Sequence, residues 1–257
     1  LPDGLLTLRK QVEGRDIAIL ANGPSLGLLG GYLDRLDFSE RNELRYFGFN
    51  TVPVVEQLLI ELGIDGLDCA LMSHPQIVKS HERWLLEFLT DPQKVFCSVN
   101  GTLSESPELQ ACAQSKPHQF ISYSSSGDHP PIPDDALHFP PVNTLMHVLP
   151  IALLGLPRSV FLFGCDGGVK NTRYFREGDA AYGDQPIPVD SYGAWLRKDA
   201  FLFDCMIGTL LQTLATIWRV DIPPIFNCSP DSRLRSFPRI SASEFGHLAR
   251  DRGLHKH

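Results

Sequence analysis

The sequence predicts an α/β protein: a single domain built on a mostly parallel sheet with helices on both faces. Three observations carry this expectation. The chain has 257 residues, enough to bury one sizeable hydrophobic core. Hydrophobic residues at 43% and charged residues at 21% are ordinary globular usage, which excludes wholesale disorder and fibrous architectures. Short apolar runs also alternate with longer amphipathic stretches along most of the chain, the pattern of strand–helix units that form parallel sheets.

Taken in order, the runs Ile17–Leu20, Arg45–Phe49, Cys69–Met72, Lys94–Ser98, Phe120–Tyr123, Ser159–Phe163 and Ile225–Asn227 read as strands. Helical periodicity marks Val54–Leu62, Gln76–Leu89, Thr144–Leu154 and a long stretch from Tyr192 to Trp218. Pro53 and Pro75 fall where a first helical turn tolerates a missing donor, which supports those two starts. Two stretches break the rhythm. Ser122–Pro141 is rich in Ser, Asp and Pro and is not expected to hold a regular element. Gly164–Ser191 carries no period, yet it mixes Gly, aromatic and charged residues between a strand and the long helix. Both read as lid-like insertions, near 122–141 and 164–191, in one domain spanning 1–241. Residues 242–257 read as a polar tail without an assigned role.

The formal charge of −7, from 23 basic and 30 acidic residues, gives no global attraction to nucleic acid or to anionic lipid. Any phosphate-bearing ligand must therefore be held by a local site. The most apolar windows, Leu145–Leu156 and Val160–Phe163, fall short of the roughly 18 to 20 residues of a membrane span. No secretory leader is visible after Leu1, so a cytoplasmic location is expected, with the inner membrane face as a peripheral alternative. The six cysteines form no CxxC pair, which argues against a zinc ribbon and for buried free thiols in a reducing compartment.

The most informative motif is Asn22-Gly23-Pro24-Ser25, directly after the first strand. A strand ending in a Gly turn that opens a helix can present unpaired amides to a phosphate, and Asn22 or Ser25 can add side-chain hydrogen bonds. The bland alternative is a tight turn with an Asn cap. The pattern is neither GxGxxG nor a Walker loop. Asp166, after a later strand, reads as a ribose or metal ligand or as a turn cap beside Gly167. Within the following loop, Lys170, Arg173, Tyr174 and Arg176 lie within seven positions and could offset charge on a departing phosphate, or be solvated charges. Ser73, His74 and Gln76 form a second tier at another strand's end, with a satisfied turn residue as the alternative reading of His74. His147 reads as core, His81 as exposed, and Phe161, Phe163, Trp195, Phe201 and Phe203 as core. Asn227 and Ser229 are either ligand contacts or turn formers.

These residues also carry a resemblance. The first strand with its NGPSL turn, a second strand ending in Asn50, and the block from Asn143-Thr144 through Ala152-Leu153-Leu154-Gly155 to Gly164-Cys165-Asp166 occur in that order in related families. The chain resembles the family 42 sialyltransferases and the Maf-type flagellin glycosyltransferases, together with the MptE-like pterin diphosphokinases that share their core. The resemblance spans roughly residues 15 to 240 and is specific at the NGPSL turn and the strand ending in Gly-Cys-Asp. It implies a Rossmann-like, GT-A-like nucleotide-binding domain. Position by position, it implies that Asn22, Gly23, Pro24 and Ser25 hold the nucleotide phosphate, that Asn50 closes the second strand beside the nucleotide, and that Asn143 and Thr144 approach cytosine and ribose. His74 and Gln76 fall where those enzymes reach the nucleotide from another strand. Asp166 matches the acid after the late strand, and Tyr174 a tyrosine on the leaving phosphate.

The sequence also departs from that pattern. Gly167-Gly168 stands where a second tyrosine is expected, and no histidine occurs between His147 and His247 to serve as general base. A carboxylate such as Asp179, Asp184 or Asp190 would have to deprotonate the acceptor. The resemblance thus implies a bacterial glycosyltransferase that moves a sialic-acid-like sugar from a CMP-type donor to a glycan or protein acceptor, without a metal or other cofactor. In the diphosphokinase alternative ATP and a pterin take those places, with Mg²⁺ held partly by Asp166. A nucleotide-binding protein without catalysis is the third reading. The apolar late helix also offers a contact surface for a homo-oligomer.

Overall fold

The computed structural model describes residues 2–50, 52–125, 137–138, 143–167 and 189–251, with 137–138, 189–199 and 251 described by their backbone alone. The first half contains α1 (Asp3–Val12), β1 (Asp16–Leu20), a 3₁₀ turn (Pro24–Leu28), α2 (Leu29–Leu33), α3 (Phe38–Glu43), β2 (Arg45–Phe49), α4 (Val52–Glu61), β3 (Cys69–Met72), α5 (Pro75–Ser80), α6 (Glu82–Phe88), β4 (Val95–Val99) and α7 (Pro107–Ser115). The second half continues with β5 (Phe120–Ser124), β6 (Leu137–His138), α8 (Leu145–Leu154), β7 (Ser159–Phe163), α9 (Val189–Thr216), β8 (Ile225–Asn227) and α10 (Ala242–Asp251).

The strands form one sheet in the order β6-β5-β4-β3-β2-β1-β7-β8, and every neighbouring pair is parallel. The chain steps outward from β1 through β6, then returns to place β7 on the other flank of β1. The fold is therefore a Rossmann-like doubly wound sheet, and its direction of winding reverses between β1 and β7. At such a switch point the crossovers leave on opposite faces, the arrangement that in open α/β sheets seats ligands beyond the carboxyl ends of the strands.

Alternating residues of each strand feed two cores, as a sheet covered on both sides requires. Ile17 and Ile19 of β1 face one core with Leu5, Leu8 and Val12 of α1, all of α8 but His147 and Pro150, and Phe203, Ile207, Leu210 and Leu214 of α9. Ala18 and Leu20 face the other, with Leu29 and Leu33 of α2, Val55 and Leu59 of α4, Leu85 of α6 and Phe245 of α10. Helix α8 is buried along its full length, which explains why its sequence shows no polar face.

Several sequence expectations are corrected. The stretch expected to form one helix over Gln76–Leu89 is two, broken at His81 (φ −113°, ψ 16°), where the Ser80 hydroxyl turns back to donate to the Ile77 carbonyl. His81 is half-buried there, and burial lowers its pKa. Phe201 is 68% exposed, because α9 turns Phe203 inward and a residue two positions earlier faces the opposite way. The Trp195 side chain lies outside the described residues. The segment expected to be irregular over Ser122–Pro141 begins inside β5 and contributes β6; the rest of it lies outside the described residues.

The expected polar tail contains α10. A reciprocal cap starts this helix: the Glu244 amide donates to the Ser241 hydroxyl, while the Glu244 carboxylate accepts from the Ser241 amide. Phe245 is fully buried edge-on against Phe161, with ring centroids 4.8 Å apart, and against Phe163 and Tyr32. Burying one such ring contributes about 2–3 kcal/mol, enough to dock a ten-residue amphipathic helix.

Candidate functional site

The carboxyl ends of β1 and β7 are stitched together by their turns. The amides of Ala21 and Gly23 donate to the carbonyls of Phe163 (2.8 Å) and Gly164 (3.0 Å). Gly164 has a left-handed φ of +66°, and a Cβ there would overlap the Ala21 carbonyl. A Cβ on Gly23 would overlap both the Gly164 carbonyl and the Asp166 carboxylate. Glycine at these two positions is what allows the two turns to touch.

The Gly23 and Ser25 amides, expected to stand open at this turn, are engaged, while the buried Ser25 hydroxyl has no partner among the described residues. Pro24 takes the first position of the 3₁₀ turn, as expected, and the Ser25 amide donates to Asp166 Oδ2 at 2.9 Å. The chain's own carboxylate thus occupies the place where a helix start would otherwise receive an anion. Asp166 is 5% exposed. Burial raises its pKa above the ordinary value, the Ser25 contact works against that rise, and the nearby Asp231 carboxylate adds to it.

Asn22 stands beside this pair and is 7% exposed, yet neither its Oδ1 nor its Nδ2 has a hydrogen-bond partner among the described residues. A buried donor or acceptor left unmade costs about 1–3 kcal/mol, so this carboxamide calls for a partner beyond the described residues.

The segment after β8 braces Asp166 from behind. The Cys165 amide donates to Ser229 Oγ (3.1 Å), Ser232 Oγ donates to the Cys165 carbonyl (2.6 Å), and the Arg233 amide donates to the Asp166 carbonyl (2.9 Å). Asn227 Oδ1 accepts from the Ser229 amide, which makes Asn227 and Ser229 turn formers within this brace. Asp204 of α9 anchors the same segment by accepting from the Arg235 and Ser236 amides at 3.0 Å. Sequence reasoning did not single out Asp231, Ser232 or Asp204: isolated polar residues far from the motif in the chain carry no local signal of this long-range pairing.

A second polar cluster lies along the same edge. The last printed pair of β1 and β2 is Leu20 with Gly48, two residues before Asn22 and Asn50 in their chains. Asn50 adopts φ +59°, and its Nδ2 donates to Thr144 Oγ1 at 2.8 Å, while Ser73 Oγ donates to Asn50 Oδ1 at 3.3 Å. The structure therefore brings together Asn50, Ser73 and Thr144, which are 94 and 71 positions apart in the pairs that meet Thr144. Asn143 Oδ1 accepts from the Met146 amide and so caps α8. His74 caps α5 by accepting from the Gln76 amide at 3.3 Å, and both residues are exposed. His147 is buried, with Nδ1 3.2 Å from the Tyr123 hydroxyl and Nε2 3.4 Å from Ser125 Oγ, a core histidine as expected. Cys69, Cys97, Cys165 and Cys228 are buried free thiols, whereas Cys205 is exposed.

The residues expected to act on the leaving group, Arg173, Tyr174, Arg176 and Asp179, lie outside the described residues, as do Lys170 and Asp184; Asp190 is described only by its backbone in α9. Among the described residues no group of three or more His, Cys, Asp or Glu side chains is arranged to hold a metal ion, and no helix is long and apolar enough to cross a membrane.

No protein-family model and no curated protein sequence matches the chain. Among solved structures, the chain is similar to the sialyltransferase CstII from Campylobacter jejuni, determined in complex with a substrate analogue, CMP-3FNeuAc. The two are 11% identical over 88% of this chain and 86% of that one, with a TM-score of 0.41.

Proposed function

We propose that the chain is a glycosyltransferase that binds a nucleotide-activated sugar at the carboxyl edge of its sheet and passes the sugar to a glycan or protein acceptor. The observation that carries this reading is the buried carboxamide of Asn22, unpartnered among the described residues, at the switch point between β1 and β7. The Asn50–Ser73–Thr144 cluster supplies further hydrogen-bonding groups along the same edge. In this reading Asn22, Gly23, Pro24, Ser25, Asn50, Asn143, Thr144 and Asp166 form the nucleotide pocket, with His74 and Gln76 at its exposed rim. The resemblance at NGPSL and Gly-Cys-Asp supports a CMP-type, sialic-acid-like nucleotide sugar as donor and a bacterial setting. Arg173, Tyr174 and Arg176 would offset charge on the departing phosphate, and Asp179 would take the acceptor's proton, so that no metal or other cofactor is needed.

One observation favours a second reading, an ATP-dependent pterin diphosphokinase. Asp231 lies close enough to Asp166 to influence its protonation, and paired carboxylates are the usual protein contribution to a Mg²⁺ site.

A thermal-shift panel separates the two. A ligand that binds only the folded state stabilises it by about 2.7 kcal/mol at a hundred times its Kd. CMP is expected to raise the melting temperature without metal. Stabilisation by ATP only with Mg²⁺ would favour the diphosphokinase, and binding without transfer or donor hydrolysis would leave a nucleotide-binding protein. No shift with any nucleotide would refute the proposal.

A further inference from the structure

We infer that Ser125 is a nucleophilic serine, activated by His147 with Tyr123 holding the imidazole, and that it takes the acyl group of a carboxylic ester. This activity is separate from the sugar transfer proposed above and does not rest on it.

The arrangement grows out of a strand and a helix start. Tyr123 lies in β5 and Ser125 follows the last residue of that strand, so the alternation of extended chain sets both on one face. Across from them His147 stands in the first turn of α8, three positions after Thr144 at its N-cap. The imidazole sits between the two hydroxyls, with Nδ1 3.2 Å from the Tyr123 oxygen and Nε2 3.4 Å from Ser125 Oγ. The Tyr123 and His147 rings also pack at 5.2 Å between centroids, tilted by 59°, which fixes the imidazole plane. Each support is tied down by a neighbour. The Asn100 amide donates to the Tyr123 carbonyl at 2.7 Å and its Nδ2 to Ser124 Oγ at 2.9 Å, while Thr144 is held to Asn50. Groups placed in this way on regular elements keep their geometry.

A serine, a base within reach of it and a third group orienting the base form the pattern that makes a serine nucleophilic. A separation of 3.4 Å is the loose contact expected before a substrate tightens it. Burial gives each residue its part. Tyr123 and His147 are buried and Ser125 is half-buried, so a reagent meets the serine first and the base stands behind it. Burial also pushes the Tyr123 phenol well above its ordinary pKa, so it stays a neutral hydroxyl that can accept from Nδ1–H. That tautomer turns the Nε2 lone pair toward Ser125. In acylation, Oγ bonds to the ester carbonyl carbon as its proton passes to Nε2, and the departing alkoxide leaves with that proton. Water then attacks the acyl carbon, giving a proton to Nε2, and Oγ leaves and takes the proton back. Tyr123 touches no reacting atom and is a positioning residue.

The experiment treats the full, folded chain with a fluorophosphonate, whose phosphorus captures an activated serine as fluoride leaves, and maps the adduct by mass spectrometry. One adduct is expected, on Ser125, and hydrolysis of p-nitrophenyl acetate is expected to stop once Ser125 is labelled. Ser125→Ala should remove both. His147→Gln, which keeps a polar side chain but loses the base, should slow labelling at least about a hundredfold. Tyr123→Phe keeps the ring and should slow it about threefold to tenfold at an unchanged melting temperature, an effect that packing alone would not produce. No adduct on Ser125, or adducts spread over the neighbouring serines, would overturn the inference. So would ester hydrolysis that survives full labelling, or a labelling rate that His147→Gln leaves unchanged. If His147→Gln fails to fold, Tyr123→Phe decides, and an unaltered rate there overturns the inference. Any of these failures would leave the sugar-transfer reading where it stands.

Discussion

At the amino ends of β1 and β7 both oxygens of the Asp16 carboxylate are engaged: Arg158 donates to it from Nε (3.0 Å) and from a terminal nitrogen (2.6 Å), and the Ser159 hydroxyl donates to the same oxygen as Nε. At the carboxyl ends of the same two strands, the Asn22 carboxamide has no partner among the described residues and Asp166 receives a backbone amide while a second carboxylate lies near. Both ends are buried and both carry an aspartate, so burial alone does not distinguish them. What differs is whether the polar atoms close upon one another. A buried ion pair with its lone pairs occupied is finished as structure, whereas an end that leaves a carboxamide open is stable only as part of a complex or at a cost.

Substitution at the amino end should have the largest effect and leave binding alone. Asp16→Ala removes the carboxylate that accepts two bonds from the part-buried Arg158 guanidinium and offsets its desolvation, and should cost about 3 kcal/mol in urea unfolding, at the low end for buried pairs because Arg158 is partly exposed. Its nucleotide affinity, measured under conditions where the variant is folded, should match the unaltered chain. A change in affinity with no loss of stability would reverse the assignment of the two ends.

A smaller effect is expected at Asp166, and its sign depends on pH. Burial raises the folded-state pKa of this group above the ordinary 3.8. Between 3.8 and the raised value the folded chain holds the proton that the unfolded chain has released, so stability falls as pH rises through that window and the cost is complete above it. Asp166→Asn removes a cost that exists only when the carboxyl is ionised. The variant should therefore be more stable than the unaltered chain at neutral pH, by less than the Asp16 effect, and the difference should shrink as pH falls toward 3.8. A difference that grows on acidification would contradict the account of Asp166 as a strained, buried carboxylate.

The fold was legible wherever the pattern was local. Arg45–Phe49, Cys69–Met72, Ser159–Phe163 and Ile225–Asn227 are strands with the expected bounds, because continuous apolar runs flanked by polar turns leave few alternatives. Helix α10 was missed because its apolar content is essentially Phe245 and Leu248 among polar neighbours, and only the Ser241–Glu244 cap marked its start. Helices α3 and α7 were missed for a similar reason: six and nine residues, capped by Asp37 and Ser106 but weakly amphipathic. At the site, the meeting of Asn50 with Thr144 follows from strand order, and the sequence indicated both residues through the resemblance without indicating their contact. The capture of the Ser25 amide by Asp166 was not legible at all. It depends on the left-handed turn at Gly164 and on the close approach of Asp166 to Gly23, both of which join residues more than 140 positions apart.

The most direct test is the nucleotide affinity of Asn22→Ala, measured by calorimetry beside its free energy of unfolding. Removing an open carboxamide should weaken nucleotide binding by about 1–3 kcal/mol while leaving the folded chain as stable as before or more so. Unchanged affinity accompanied by a loss of stability would show that Asn22 serves the fold, and the carboxyl end of β1 would cease to be a binding site.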